Sequence, residues 1–390
     1  MPNMKSQFNG ERLKKARIYR GLKVAELAER VGCQRQTLSM YEICKSQPAD
    51  SKIVELISRE LDFPVDFFYE HPEPIPASTI YFRSLLTTSK KYRTEQVVKM
   101  EFLAQIYSLL QDYIEFPRYE PLCLVEETTP EEAATALRNA WNLGYGPVEN
   151  LIAVVEQHGI LVTSFSTSTD DVDAFSQFID IGDNPTYLIA YSNNKTSASR
   201  IHFDIAHELG HICLHEWSDE IESYTKEEFK QREQQANDFA AAFLLPEISF
   251  KQDALRAPSG SKALVYYKQL KKKWRVSIAA MIRRARDLGV MTMDEYQTLI
   301  KIMQRRGQRK EEPLDDVLIT ASPSLLKTSI IMLLQEGVFS RREFMEELSS
   351  NYNLSIKPEE IEYLLDLPVG TLIPPKVVAF SSLQLKQQGK

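Results

Sequence analysis

The segment FDIAHELGHICLHEW, Phe203–Trp217, carries three of the six histidines of this 390-residue chain. Within it, His207, Glu208 and His211 form the pattern H-E-x-x-H. Side chains four residues apart project from one face of a helix, so the two histidines can hold one zinc ion. Glu208, one residue round the helix, is placed to take a proton from the attacking water. The segment therefore predicts a helix that bears a metal-dependent hydrolytic site.

A catalytic zinc site commonly has three protein ligands, so a third must come from elsewhere in the chain. Residues 227–247, EEFKQREQQANDFAAAFLLPE, predict a second helix, on which Glu233 lies three residues before the inward-facing Ala236. His215 and His202 are rival ligands on the first helix. One straight helix rotates 100° per residue and turns such positions away from a shared ion. Glu233 is therefore the predicted third ligand.

The first seventy residues predict a bundle of short helices joined by turns that contain glycine. The helical stretches are GERLKKARIYRG (10–21), KVAELAERVG (23–32), CQRQTLSMYE (33–42) and DSKIVELISRELDFPVDFFY (50–69). Apolar residues recur at helical spacing in each of them, and Gly21 and Gly32 follow the first two. The order helix, short turn, helix predicts a helix-turn-helix unit.

Polar residues at the start of the third helix suggest contact with DNA. Glutamine can read adenine and arginine can read guanine in the major groove. The candidate base-reading helix carries Gln34, Arg35, Gln36, Thr37 and Ser39. The candidate phosphate contacts are Lys14, Lys15, Arg17 and Lys45. The segment resembles the Xre/Cro family of helix-turn-helix repressors, which implies a double-stranded operator and commonly a homodimer. A charged bundle that contacts protein instead stays open.

The residues between the two motifs predict a linker, a long helix and a small sheet. HPEPIPA (71–77) is a proline-broken linker, and an amphipathic helix follows over 94–116 that either packs within the chain or self-associates. ILVTSF, DAFSQFID and TYLIAY predict three short strands ahead of the histidine helix, in a small antiparallel sheet. An edge strand beside a metal-binding helix can hold an extended peptide by adding it to the sheet.

Composition restricts the protein class. No run of about 18 apolar residues occurs, and the N-terminus lacks the apolar stretch of a signal peptide, so we expect a cytoplasmic protein without a membrane span. The four cysteines show no C-x-x-C spacing, which argues against a disulfide framework or a thiolate zinc site. The net charge is −7, yet residues 1–45 contain ten Lys/Arg against four Asp/Glu. This local basic excess fits a nucleic-acid partner.

Two motifs together carry a family resemblance. RIHFDIAHELGHICLH (200–215) followed by REQQANDFAAAFLLP (232–246) resembles the ImmA/IrrE family of zinc metallopeptidases, over about residues 131–290. The resemblance implies a zincin-like fold with His207, His211 and Glu233 as Zn²⁺ ligands and Glu208 as the catalytic base. It also implies a protein substrate, a transcriptional repressor cleaved at one site to switch stress or mobile-element genes.

The sequence thus predicts a multidomain protein, mainly α with an α+β part. Its predicted units are 1–70, a helix-turn-helix DNA-binding domain; 71–125, a linker and amphipathic helix; 126–290, a zinc peptidase domain; and 291–390, a helical C-terminal region. The expected function is a DNA-binding regulator with zinc endopeptidase activity that cuts a repressor in trans or its own chain. The alternative is a non-catalytic operator-binding repressor or antitoxin that uses the peptidase fold as a scaffold or sensor.

Overall fold

The computed structural model describes residues 7–71, 80–82, 90–165, 174–194, 197–215, 224–309 and 311–373. Over these residues the chain is mainly helical, with one small sheet. The strands are β1 (Ile80–Phe82), β2 (Leu161–Phe165), β3 (Ala174–Ile179) and β4 (Thr186–Ser192). The helices are α1 (Gly10–Tyr19), α2 (Val24–Arg30), α3 (Arg35–Glu42), α4 (Ser51–Leu61), α5 (Lys90–Gln111), α6 (Pro130–Ala140), α7 (Leu151–Gln157), α8 (Ala198–Leu214), α9 (Lys226–Leu244), α10 (Glu247–Ala254), α11 (Lys262–Trp274), α12 (Ile278–Asp287), α13 (Met293–Arg305), α14 (Leu325–Gln335), α15 (Arg341–Tyr352) and α16 (Pro358–Leu364).

The N-terminal residues form a bundle of α1 to α4, closed by a short 3-10 helix at Val65–Tyr69. The Asp50 side chain caps α4 by accepting a hydrogen bond from the backbone N–H of Lys52 at 3.0 Å. Gly21 and Gly32 adopt φ of 64° and 69° after α1 and α2, a conformation that favours glycine. The capping and turn residues therefore set the helix boundaries close to those expected from the sequence.

Helix α5 joins the N-terminal bundle to the C-terminal helices. It begins at Lys90 and ends at Gln111, whereas the sequence pattern predicted 94–116. Its apolar residues, among them Phe102, Ile106 and Leu110, are fully buried against α1, α14 and α15. The apolar face of α5 is thus covered within the chain, as the packing alternative predicted.

Polar contacts tie the N-terminal bundle to residues beyond 350. The Arg12 guanidinium lies 3.1 Å from Glu70 and donates to the backbone carbonyl of Asn353. The Tyr19 hydroxyl donates to Glu360 at 2.5 Å. Helices α14 to α16 therefore share a core with the N-terminal bundle.

The sheet has the strand order β1-β3-β4-β2. Strands β1 and β3 pair antiparallel, as do β3 and β4, but β2 and β4 pair parallel. The prediction of an antiparallel sheet was therefore wrong for one of its edges, and the sheet is mixed. The short turn between Ile179 and Thr186 makes β3 and β4 a hairpin, which leaves β2 to join the far side of β4. Four of the five residues of β2 are buried, including Thr163, which is typical of a strand covered on both faces.

The sheet separates two apolar cores. Phe175 and Leu188 lie in the core formed by the N-terminal bundle, α5 and α14 to α16. Their neighbours Ala174 and Ile189 point to the opposite face, in the core formed by α6 to α13. Because successive side chains of a strand alternate between faces, β3 contributes to both cores. Helices α8 and α9 lie on the second face.

Candidate metal centre

Helices α8 and α9 bring three predicted ligands together. The Nε2 atoms of His207 and His211 are 3.0 Å apart. Glu233 Oε1 lies 3.2 Å from His211 Nε2, and Glu233 Oε2 lies 3.6 Å from His207 Nε2. One ligand atom from each side chain can be chosen so that all lie within 4.8 Å of one another. The residues that the sequence selected are therefore adjacent in the folded chain.

The character of these donors fits a zinc ion. Zn²⁺ in catalytic sites is bound by imidazole nitrogens and carboxylate oxygens, commonly as three protein ligands. Both histidines are fully buried, whereas the side chain of Glu233 is 17% exposed. The site is thus enclosed by α8 and reaches solvent through the side chain of Glu233.

Glycine at position 210 lets the two helices approach each other. A Cβ atom built on Gly210 would lie 3.0 Å from the Cα of Ala236 and 3.2 Å from the Cβ of Phe239. Any larger residue would push α9 away from α8. Since Ala236 is one turn beyond Glu233, this close approach is what brings the Glu233 carboxylate to the two imidazoles.

The tautomer of His207 follows from its contact with Asn237. The side-chain amide of Asn237 donates from Nδ2 to the backbone carbonyl of Glu233 at 2.8 Å, which orients its Oδ1 atom as an acceptor. That Oδ1 lies 3.2 Å from His207 Nδ1. His207 therefore carries its proton on Nδ1, and the Nε2 lone pair faces Glu233. A neutral imidazole in this tautomer is what metal binding requires.

His211 is oriented by a longer series of contacts. Gln235 Oε1 lies 3.2 Å from His215 Nε2, and His215 Nδ1 lies 2.9 Å from His211 Nδ1. If the amide oxygen of Gln235 accepts from His215 Nε2–H, His215 Nδ1 is left as an acceptor for His211 Nδ1–H. Burial lowers the pKa of His215 to about 4, which keeps its ring neutral near pH 7. His215 thus contacts the candidate ligand His211 and is not one of the three clustered residues itself.

We expect His215→Phe to weaken zinc binding by roughly ten- to a hundredfold, the usual effect of losing a residue that orients a metal ligand. Phenylalanine keeps the ring volume but removes the acceptor for His211. Zinc affinity, measured by competition with a chromophoric chelator, tests this. His202→Gln is the matched control, because His202 is buried on the same helix away from the three ligands. Equal affinities in the two variants would contradict the assignment.

Ser176 was not singled out from the sequence and belongs to the site. Its hydroxyl donates to Glu208 Oε2 at 2.5 Å, and both side chains are fully buried. Ser176 lies in the middle of β3, so this bond joins the sheet to the H-E-x-x-H helix. A lone serine in a strand carries no sequence signal for such a role. Asn237 and Gln235 likewise carry no sequence signal for their contacts with His207 and His215, because they are polar residues of the polar helix α9.

The rival ligand His202 lies elsewhere. Its Nε2 atom is 3.0 Å from the Thr320 hydroxyl. Burial, reinforced by the nearby Arg275 charge, lowers the pKa of His202 to about 4. His202 is therefore a neutral histidine buried beneath residues 314–324, as the rotation of a straight helix predicted.

The residues proposed for DNA contact are only partly on one surface. Gln34, Arg35 and Gln36 are exposed at the start of α3, and Thr37 and Ser39 are half-buried behind them. Lys14 and Lys45 are exposed. Solvent thus reaches the side chains of five of these residues, and their contact with DNA stays a prediction.

Two of the predicted phosphate contacts form ion pairs within the protein. Arg17 forms a two-bond ion pair with Glu42, at 2.5 and 2.9 Å, and donates to the Leu22 carbonyl at 2.7 Å. Lys15 lies 2.6 Å from Glu101 of α5. These contacts join α1 to α3 and to α5, and contact of Arg17 and Lys15 with phosphate stays a prediction. Helical periodicity alone does not reveal which basic residues meet an acidic neighbour from another helix.

A known family model matches part of the chain. Residues 155–286 match a peptidase family model described as the IrrE N-terminal-like domain. The match includes α8 and α9 and supports the ImmA/IrrE family for this part of the chain, which suggests a zinc metallopeptidase-like domain. No curated protein matches the chain. Among the described residues, no helix is both long and apolar enough to cross a membrane.

Proposed function

We propose that this protein is a DNA-binding regulator with zinc-dependent endopeptidase activity that cleaves a transcriptional repressor, in trans or in its own chain, to switch stress or mobile-element genes. The observation that carries the proposal is the convergence of His207, His211 and Glu233 beside the buried Glu208. A site that merely stabilised the fold would not need a buried carboxylate next to three ligand atoms.

His207, His211 and Glu233 would hold the ion. Zinc, when bound, polarises the substrate carbonyl and makes water a stronger nucleophile at neutral pH. Glu208 accepts the proton of the attacking water and returns it to the nitrogen of the leaving amine. Ser176 holds Oε2 of Glu208, which fixes the plane of the carboxylate during both proton transfers.

The DNA-binding part of the proposal depends on the N-terminal bundle. The exposed Gln34, Arg35 and Gln36 stand at the start of α3, where their side chains can enter the major groove of a double-stranded operator. Lys14 and Lys45 remain as phosphate contacts. A homodimer would place two such helices on two half-sites.

The cleavage proposal is tested by comparing new protein N-termini in cells that express the wild-type chain with those in cells that lack it. We expect one or a few zinc-dependent cleavage products, among them a fragment of a DNA-binding repressor or of this chain itself.

Selection of bound fragments from random duplex DNA by the purified chain tests the operator part, with Arg35→Ala and Gln36→Ala in parallel.

The alternative function is a non-catalytic operator-binding repressor or antitoxin that keeps the peptidase fold as a scaffold or sensor. It is favoured by the shared core of the N-terminal bundle, α5 and α14 to α16, which connects the proposed DNA-binding part to the sheet beneath the metal centre. Recovery of an operator together with the absence of any zinc-dependent cleavage product would support this alternative over the enzyme.

A further inference from the structure

The strand next to the metal centre has a neighbour from a distant part of the sequence. β3 reaches the site through Ser176, whose hydroxyl donates to Glu208. On one side β3 pairs with β4, and Ser176 lies opposite Ile189. On its other side it pairs with β1, and Ser176 lies opposite Tyr81. The middle of β1 is thus directly across from the residue that holds the proposed base.

β1 is the edge strand of the sheet and only three residues long, Ile80–Phe82. It lies between the N-terminal bundle and α5, where the sequence predicted a linker, and outside the predicted peptidase domain. Without β1, the backbone N–H and C=O groups along one side of β3 would lack strand partners. Such an edge is a template for any extended segment.

We propose that the outer edge of β3 is the binding site for an extended substrate peptide, and that the chain's own Ile80–Phe82 segment is its resident occupant. This inference rests on the proposed peptidase function, which it deepens by naming the substrate conformation and a regulator of access. The antiparallel register of β1 shows how a peptide lies there. Backbone hydrogen bonds supply the affinity of such added strands, and side chains at alternate positions supply the selectivity.

A tethered occupant competes strongly with a peptide in solution. Attachment within one chain gives a segment an effective concentration on the order of millimolar at a site that it can reach. A free peptide of similar intrinsic affinity is therefore excluded at micromolar concentration. In the resting chain, Ile80–Phe82 thus keeps other segments from the metal centre until it leaves β3.

The test uses the full chain with Glu208→Gln, so that cleavage does not interfere, with and without the double substitution Ile80→Pro/Tyr81→Pro. Proline lacks the N–H donor of a strand, and alternate residues bond to a neighbour, so two consecutive prolines remove the donor in either register. The probe is a labelled synthetic peptide of residues 78–84, STIYFRS, and the control peptide has proline at the same two positions.

We expect the chain with the two prolines to bind the probe at least about tenfold more tightly than the Glu208→Gln chain without them. It should show no binding of the control peptide. Amide hydrogen exchange is the second measurement. The β3 amides that face β1 should exchange at least about tenfold faster in the variant and regain protection with the probe, while those that face β4 stay protected. Protection of the β4-facing amides also reports that the variant is folded.

Unchanged exchange along β3 in the proline variant would overturn the proposal, because β1 would then not occupy the edge in solution. Faster exchange without binding of the probe would overturn it too, since the edge would not be a peptide site. Neither readout requires catalysis. A failure of the peptidase function would instead appear as absent zinc or absent cleavage, with probe binding and exchange as expected here.

Discussion

Replacement of Glu208 by glutamine is expected to lower the rate of zinc-dependent cleavage by roughly a hundred- to ten-thousandfold, the range attributed to a positioned general base. Glutamine has nearly the same shape but accepts no proton at neutral pH. It retains a carbonyl oxygen that can accept the hydrogen bond from Ser176, so the fold and the zinc content should be unchanged. The measurement is the yield of the cleavage product per unit time, together with elemental zinc per chain.

Glu227→Gln is the matched control for this change. Glu227 lies in the first turn of α9, on the same helix as Glu233, but is exposed to solvent. Its substitution removes one carboxylate charge near the site without touching the ligand cluster. Cleavage by Glu208→Gln at the rate of this control would exclude Glu208 as the base and favour the non-catalytic regulator.

The second large effect is expected from the ligands. His207→Ala and Glu233→Ala each remove one of the three donors, and we expect the purified variants to retain far less than the one zinc per chain of the wild type. The loss of affinity should exceed the ten- to hundredfold expected for a supporting residue such as His215. Elemental analysis after dialysis against a weak chelator measures it.

Zinc-dependent stability offers an independent readout of the same prediction. A ligand that binds only the folded state at a thousand times its Kd stabilises that state by about 4 kcal/mol. The wild-type chain should therefore show a higher Tm with zinc than without, and His207→Ala should not. Glu227→Ala serves as the control with an intact donor set. An equal zinc-induced shift in all three proteins would place the ion elsewhere.

The candidate metal centre could be predicted from the sequence because the spacing of its histidines is local. Two histidines four residues apart on a helix share a face whatever the rest of the fold does, so His207, His211 and Glu208 follow from one segment. Glu233 followed from the apolar face of a second helix, since a ligand must lie near the side that packs. The glycine at 210, which allows α9 to approach, stands inside the same motif.

The residues that orient the ligands were not readable in this way. Ser176, Asn237 and Gln235 are ordinary polar residues whose partners lie 20 to 32 positions away in the chain. The same limit applies to the ion pair of Arg17: its partner Glu42 is 25 positions away, and a helical pattern does not show which basic residues face an acidic neighbour.

Strand pairing was also not predictable in full from the sequence. The alternation and apolar content of residues 161–192 located β2, β3 and β4, because the side chains of a strand reflect whether its faces are buried. The backbone hydrogen bonds that join neighbouring strands are nearly the same for all residues except proline, so they leave little trace in the sequence of which strands pair. The parallel pair of β2 with β4, and the presence of Ile80–Phe82 at the edge beside Ser176, are therefore decided only by the tertiary structure. The sequence alone placed His207, Glu208 and His211 on one helix, because helical geometry follows from local spacing; the tertiary structure decided what surrounds them.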